Sequence, residues 1–112
     1  DKKYGGIIYF RDIEGKSGNE YWHDMKFWWP QCEALIASLY AYKITGDAEY
    51  RKRFVLMHNY FHERFPDKTY GECFGYFHRD GTLSTDVKGN MYKGPFHIPR
   101  MYMECMELLE TM

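Results

Sequence analysis

Between Pro30 and Phe65 the chain carries two apolar repeats of helical period, separated by little more than Gly46 and Asp47. In the first, Cys32, Leu35, Ile36, Leu39 and Tyr40 recur at i, i+3, i+4, i+7 and i+8, and Pro30 suits the first turn of the helix they predict. Asp47 can cap the second, where Tyr50, Phe54, Met57 and Phe61 follow at helical spacing until Phe65, Pro66 and Asp67 end it. Two helices joined so tightly form an αα-hairpin.

A third helix is predicted from about Ile98, with Tyr102, Cys105, Met106 and Leu109 on its apolar face. The stretch before it, "GECFGYFHRDGTLS", alternates loosely around Arg79, Asp80 and Gly81, and Asp-Gly between β-prone flanks predicts a hairpin in a long inter-helix loop. The opening "YGGIIYFRDIEGKSGNE" reads as a short strand followed by a turn-rich loop, an interior entry point more than a natural start. No repeat, low-complexity tract or linker divides residues 1–112. The expected fold class is all-α, one sector of a helical toroid with short β-hairpins in its inter-helix loops. Three helices cannot close such a ring, so on this reading the chain is part of a longer one.

A net charge of -1 and a pI of about 6.6 give no pull toward nucleic acid or an acidic membrane surface. No apolar run approaches the ~18 residues of a membrane span, and the chain reads as soluble. Cys32, Cys73 and Cys105 are odd in number, widely spaced and without a CxxC pair, which argues against a disulfide framework or structural zinc and for reduced thiols in a cytosolic compartment. Aromatic residues make up 20% of the chain, more than one small core readily encloses. Some should line a pocket, where Trp and Tyr offer an apolar face and a polar tip that match a sugar; others should cover neighbouring helices.

The chemistry concentrates in two stretches. In "KGNMYKGPFHIPR", Pro99 fixes entry into the last helix, which puts His97 at the helix N-terminus with Arg100 three residues on, on the same side. The helix dipole and the nearby cation both favour an uncharged imidazole, able to take a proton, while a guanidinium can hold the oxyanion formed when a proton α to a carbonyl leaves. A plain helix cap at His97 and a surface ion pair at Arg100 explain the same residues. In "WWPQCEALIA", Glu33 falls in the first helical turn, where a carboxylate answers the dipole and free N–H groups; beside Trp28 and Trp29, placed just before the helix, it could equally bind sugar hydroxyls under two stacking indoles. His58 and His62 share a helix face, but Asn59 stands where a zincin carries Glu, so no metal is expected there. His78 reads as a turn residue, and the glycines fit no phosphate loop.

Taken together, "GGIIYFRD", "WWPQCEALIASLYAYKITGD", "YGECFGYFHRDGTL" and "KGNMYKGPFHIPR" resemble the N-acylglucosamine 2-epimerase family, also called renin-binding proteins. The resemblance covers essentially the whole chain, and its WWPQxEA and FHxPR blocks are specific when they occur together in this order. It implies an (α/α)6 toroid of which this chain is the C-terminal part, roughly the last quarter to third. It also implies interconversion of N-acetyl-D-glucosamine and N-acetyl-D-mannosamine by removal and return of the proton at C2. His97 matches one of two catalytic histidines, Arg100 the arginine that accompanies it, and Glu33 the active-site glutamate. Tyr92 falls where sugar-stacking aromatics occur in relatives, and Trp28 and Trp29 remain the stacking indoles of the WWPQ block. The second histidine would lie outside this chain, so the chain alone is expected to be inactive. Cellobiose 2-epimerases and aldose–ketose isomerases share the barrel, and "YKGPFHIPR" sits closer to the amino-sugar branch than the WKCPYHNxR of the cellobiose enzymes; a non-catalytic sugar-binding or protein-binding piece is the remaining alternative. The resemblance further implies no required cofactor, ATP as a possible allosteric effector, a small amino sugar as ligand, a homodimeric full-length parent, and a cytoplasmic location with neither nucleic acid nor membrane as partner.

Overall fold

A computed structural model describes all 112 residues, in the order β1 (Lys26–Phe27), α1 (Trp28–Thr45), α2 (Ala48–Arg64), β2 (Tyr76–Phe77) and α3 (His97–Glu110). The αα-hairpin forms as its repeats predict. α1 stops at Thr45, where the Gly46 N–H donates to the Tyr42 carbonyl at 2.8 Å, and the Asp47 carboxylate caps α2 by accepting from the Glu49 N–H at 2.9 Å. α1 is the central helix, with α2 packed on one side and α3 on the other.

The β structure differs from expectation. No strand forms in residues 4–10, because Gly5 and Gly6 take φ of 77° and 66° and fold the chain over the Tyr60 ring. A Cβ on Gly6 would lie 2.4 Å from that ring, so the turn requires glycine. The two-stranded sheet instead pairs β1 with β2, antiparallel, with Lys26 opposite Phe77 and Phe27 opposite Tyr76. The Asp-Gly hairpin is present: Phe77 bridges to Leu83, the Gly81 N–H donates to the His78 carbonyl at 3.0 Å, and Asp80 Oδ1 accepts from the Thr82 N–H at 2.9 Å. Gln31, fully buried, ties the opening segment to α1 by donating to the Ile7 carbonyl at 2.7 Å and accepting from the Ile7 N–H at 2.8 Å.

The core joins Trp28, Cys32, Leu35 and Ile36 of α1 to Tyr60 and Phe61 of α2, to Phe65, Cys73 and Phe77, and to Met101 of α3. Phe61 and Phe65 stack with ring centroids 5.0 Å apart. On α3 the buried residues are Met101 and Leu108, with Cys105 half-buried, whereas the expected Tyr102, Met106 and Leu109 face outward. The apolar side of this helix, opposite Arg100, Glu104 and Glu107, is broad, so period alone did not fix which part of it turns inward; packing against α1 did. The molecule is a slab of 40 × 39 × 22 Å, and each helix keeps apolar residues outside, among them Ile44, Leu56, Met103 and Met106. No helix is long and apolar enough to cross a membrane.

Candidate active site

β1 runs directly into α1, where the Trp28 N–H donates to the Gly75 carbonyl at 3.0 Å. The helix therefore starts two residues ahead of Pro30, which corrects two expectations. Trp28 and Trp29 belong to the first turn instead of preceding it, and Glu33 moves into the second turn, away from the free N–H groups that a capping carboxylate would serve. Helix capping no longer accounts for Glu33.

Its partners lie on α3. Glu33 Oε1 accepts from His97 Nδ1 at 2.9 Å and Oε2 accepts from Arg100 Nη1 at 2.5 Å, across 64 and 67 residues of sequence. Burial raises the Glu33 carboxyl pKa, but the hydrogen bonds from His97 and Arg100 outweigh it, and the net shift is downward from 4.5. The Arg100 guanidinium is shifted up, chiefly by its hydrogen bond to Glu33. An ionised carboxylate only accepts, so it fixes the imidazole proton on Nδ1 and leaves Nε2 as the nitrogen free to take another. The sequence predicts the Arg100 cation beside the imidazole; in the structure the carboxylate stands between them.

His97 lines a cleft of about 860 Å³, whereas Glu33 and Arg100 do not. The Arg100 charge is thus directed at Glu33 and not at the cleft, where the oxyanion role expected of it would place it. Trp29 tilts over His97 with centroids 5.7 Å apart, and Tyr9 meets Trp29 edge-on at 6.0 Å. Trp28 is 2% exposed, packed against Tyr76 and His97 with an indole N–H that meets no acceptor in the chain. It forms the back wall of the cleft, not an open stacking face. Tyr92, 80% exposed, also lines the cleft. Its N–H donates to Asn90 Oδ1 at 2.9 Å, and Asn90 Nδ2 donates to the Tyr76 hydroxyl at 2.9 Å. Trp22 also lines the cleft.

Tyr9, Tyr76 and Asn90 border the cleft without having been singled out from the sequence. Tyr76 alternates with buried Phe77 in "GYFH", a period-2 signal that could have flagged it; Asn90 left no signal. His58 and His62 stack on α2 with centroids 4.1 Å apart, His62 near the Tyr102 hydroxyl, and neither lines the cleft. His78 lies on the exposed hairpin.

The N-acylglucosamine 2-epimerase (GlcNAc 2-epimerase) family model matches residues 1–97. The chain is 41% identical over 112 residues to N-acylglucosamine 2-epimerase of Bos taurus, covering 100% of this chain and 26% of that protein. It is 38% identical over 109 residues to the protein of the same name from Homo sapiens, covering 97% and 26%. Among solved structures, a D-mannose isomerase superposes with a TM-score of 0.82 at 24% identity, over 100% of this chain and 27% of that one. Cellobiose 2-epimerase from Spirochaeta thermophila superposes at 0.73 with 27% identity, over 80% and 23%. The chain spans about a quarter of the length of the relatives it matches. An αα-hairpin flanked by a third helix, a carboxylate holding a histidine and an arginine beside an aromatic cleft, and a family match over residues 1–97 lead to one conclusion: the chain belongs to the N-acylglucosamine 2-epimerase family of sugar epimerases, which are isomerases.

Proposed function

We propose that this chain is one sector of a longer (α/α)6 toroid, here called the parent, which interconverts N-acetyl-D-glucosamine and N-acetyl-D-mannosamine. Two observations support the toroid. The apolar side of α3 is broader than α1 covers and leaves Tyr102, Met103, Met106 and Leu109 exposed, which a larger all-helical body would bury, and the slab leaves apolar residues of all three helices outside. The amino-sugar substrate is favoured by the 41% and 38% identical relatives, both N-acylglucosamine 2-epimerases.

The chemistry rests on the Glu33 carboxylate that holds His97 through Nδ1 while His97 lines the cleft. In this reading His97 Nε2 takes the proton from C2 of the open-chain sugar. The C–H electron pair becomes the C1–C2 double bond of an enolate whose C2 keeps its acetamido group, and negative charge moves to O1. A second base, supplied by the parent outside this chain, returns a proton to the opposite face of C2, which inverts that carbon. Glu33 holds the proton of neutral His97 on Nδ1 and stabilises the imidazolium formed; Arg100 holds Glu33 in place. Trp29 and Tyr92, both lining the cleft, offer stacking surfaces, and Trp28 backs it. Proton transfer of this kind uses side chains alone, so ATP would act only as an effector, and the parent's partners are a small amino sugar and a second copy of itself.

The test is deuterium uptake at C2 of N-acetylmannosamine, followed by NMR in deuterated buffer on the parent. Wild type should incorporate deuterium and His97→Ala should not. Equal incorporation by the two would remove His97 from the chemistry.

A further inference from the structure

The loop that carries Tyr92 to the cleft is held from below by a buried cation that the proposed chemistry does not use. Lys93 follows Tyr92 directly, yet its side chain is only 3% exposed. Its ammonium donates to Glu72 Oε2 at 2.8 Å and to the Lys88 carbonyl at 2.7 Å, and it lies 5.9 Å from the centre of the Trp28 ring. The stem runs over Gly75, where a Cβ would come within 2.8 Å of Lys93 Cδ and 3.5 Å of the Trp28 ring. That position has room for the lysine only because it is glycine.

We infer that Lys93 is a positioning residue: it rivets residues 88–93 to the Glu72 turn and to Trp28, and so sets Asn90 and Tyr92 at the height from which they meet the sugar. Three features carry this. The Lys93 N–H and the Tyr92 N–H both donate to Asn90 Oδ1 at 2.9 Å, so the backbone that seats Tyr92 and the one that leads into Lys93 share one acceptor. The neighbouring Lys88 ties the same loop to Asp67 at 2.5 Å and to the Gly71 carbonyl at 2.8 Å, so both lysines pull the loop onto the 67–72 turn. That turn includes Glu72 at φ 61°, a left-handed conformation uncommon outside glycine, which aims its carboxylate at Lys93. A buried ammonium with two acceptors is costly to strip of its charge partners, so the loop has one well-defined seat. Lys93 touches neither the reacting carbon nor His97 in this arrangement; its effect is on how the sugar is held.

The inference rests on the epimerase reading for its kinetic consequence, but not for its structural one. In the parent, Lys93→Met should raise KM for N-acetylmannosamine about tenfold with kcat within about twofold, as loss of binding shared by ground and transition states does. Amides of residues 88–93 should exchange faster while those of α1 stay protected. Lys93→Arg, which keeps a cation, should recover most of the KM. Gly75→Ala, which crowds the lysine stem without touching its charge, should show the same selective rise. Wild-type KM and unchanged loop protection in Lys93→Met would overturn the inference, as would a parallel fall in kcat and helix protection, which marks a merely structural residue. A wild-type parent that leaves C2 undeuterated sinks the epimerase reading alone, because loop exchange in Lys93→Met still decides the latch.

Discussion

Replacing Glu33 by glutamine changes one atom and should cost the reaction more than removing the side chain altogether. Arg100 can only donate, so the glutamine carbonyl must face Arg100 and its NH2 must face His97 Nδ1. The ring then carries its proton on Nε2, the nitrogen assigned to take one from C2. General-base catalysis contributes about 10²- to 10⁴-fold, and reversing a catalytic tautomer in a serine protease costs about 10⁴-fold, so exchange at C2 should fall by about 10²- to 10⁴-fold. Stability should fall only slightly. Glu33, His97 and Arg100 side chains are 34%, 28% and 36% exposed, and solvent-screened pairs are worth about 0.2–1 kcal/mol each. Glu33→Ala leaves the imidazole free to choose its tautomer and should retain more activity than Glu33→Gln. The assay is C2 deuterium uptake by the parent, with thermal unfolding as control. Should Glu33→Gln match wild type, or outperform Glu33→Ala, the tautomer argument is refuted.

Further outcomes follow from the same geometry. Because the Glu33 pKa is lowered by folding, its stabilisation is complete above 4.5 and fades as pH falls through the depressed folded value. The gap in Tm between wild type and Glu33→Gln should therefore shrink on acidification, and a gap that widens there would reverse the assignment. Burial pushes the Cys32 thiol up to about 12 and Cys73 up to about 11, so neither should react with a thiol reagent at neutral pH until the protein unfolds; rapid labelling of Cys32 in the native protein contradicts the packing. Phe61→Ala, at a side chain with 0% exposure stacked on Phe65, should cost about 3–5 kcal/mol in denaturant unfolding. The 112-residue chain by itself should self-associate in sedimentation through the exposed apolar side of α3 and should not epimerise sugar; turnover near the parent's rate disposes of the two-base mechanism.

Local signals were enough for the elements that local energetics decide. Helical spacing from Cys32 to Phe61, with Gly46 and Asp47 between, determined the αα-hairpin, since a C-terminal glycine and an N-terminal aspartate act within a turn of where they stand. The Asp80-Gly81 turn was legible for the same reason. What required the tertiary structure was every choice between equivalent faces and every partner far away in sequence. α3 has an apolar side wider than one neighbour can cover, and only contact with α1 buries Met101 and Leu108 in place of Tyr102 and Leu109. The strand expected at the start of the chain gave way to Lys26–Phe27 because close packing on Tyr60 turned Gly5 and Gly6 into a bend. Glu33, His97 and Arg100 could each be singled out from its own motif, but nothing in either motif said that one carboxylate serves both others. That pairing spans more than 60 residues, and it exists because α1 and α3 pack side by side, a free-energy balance of buried surface that no short window of sequence contains.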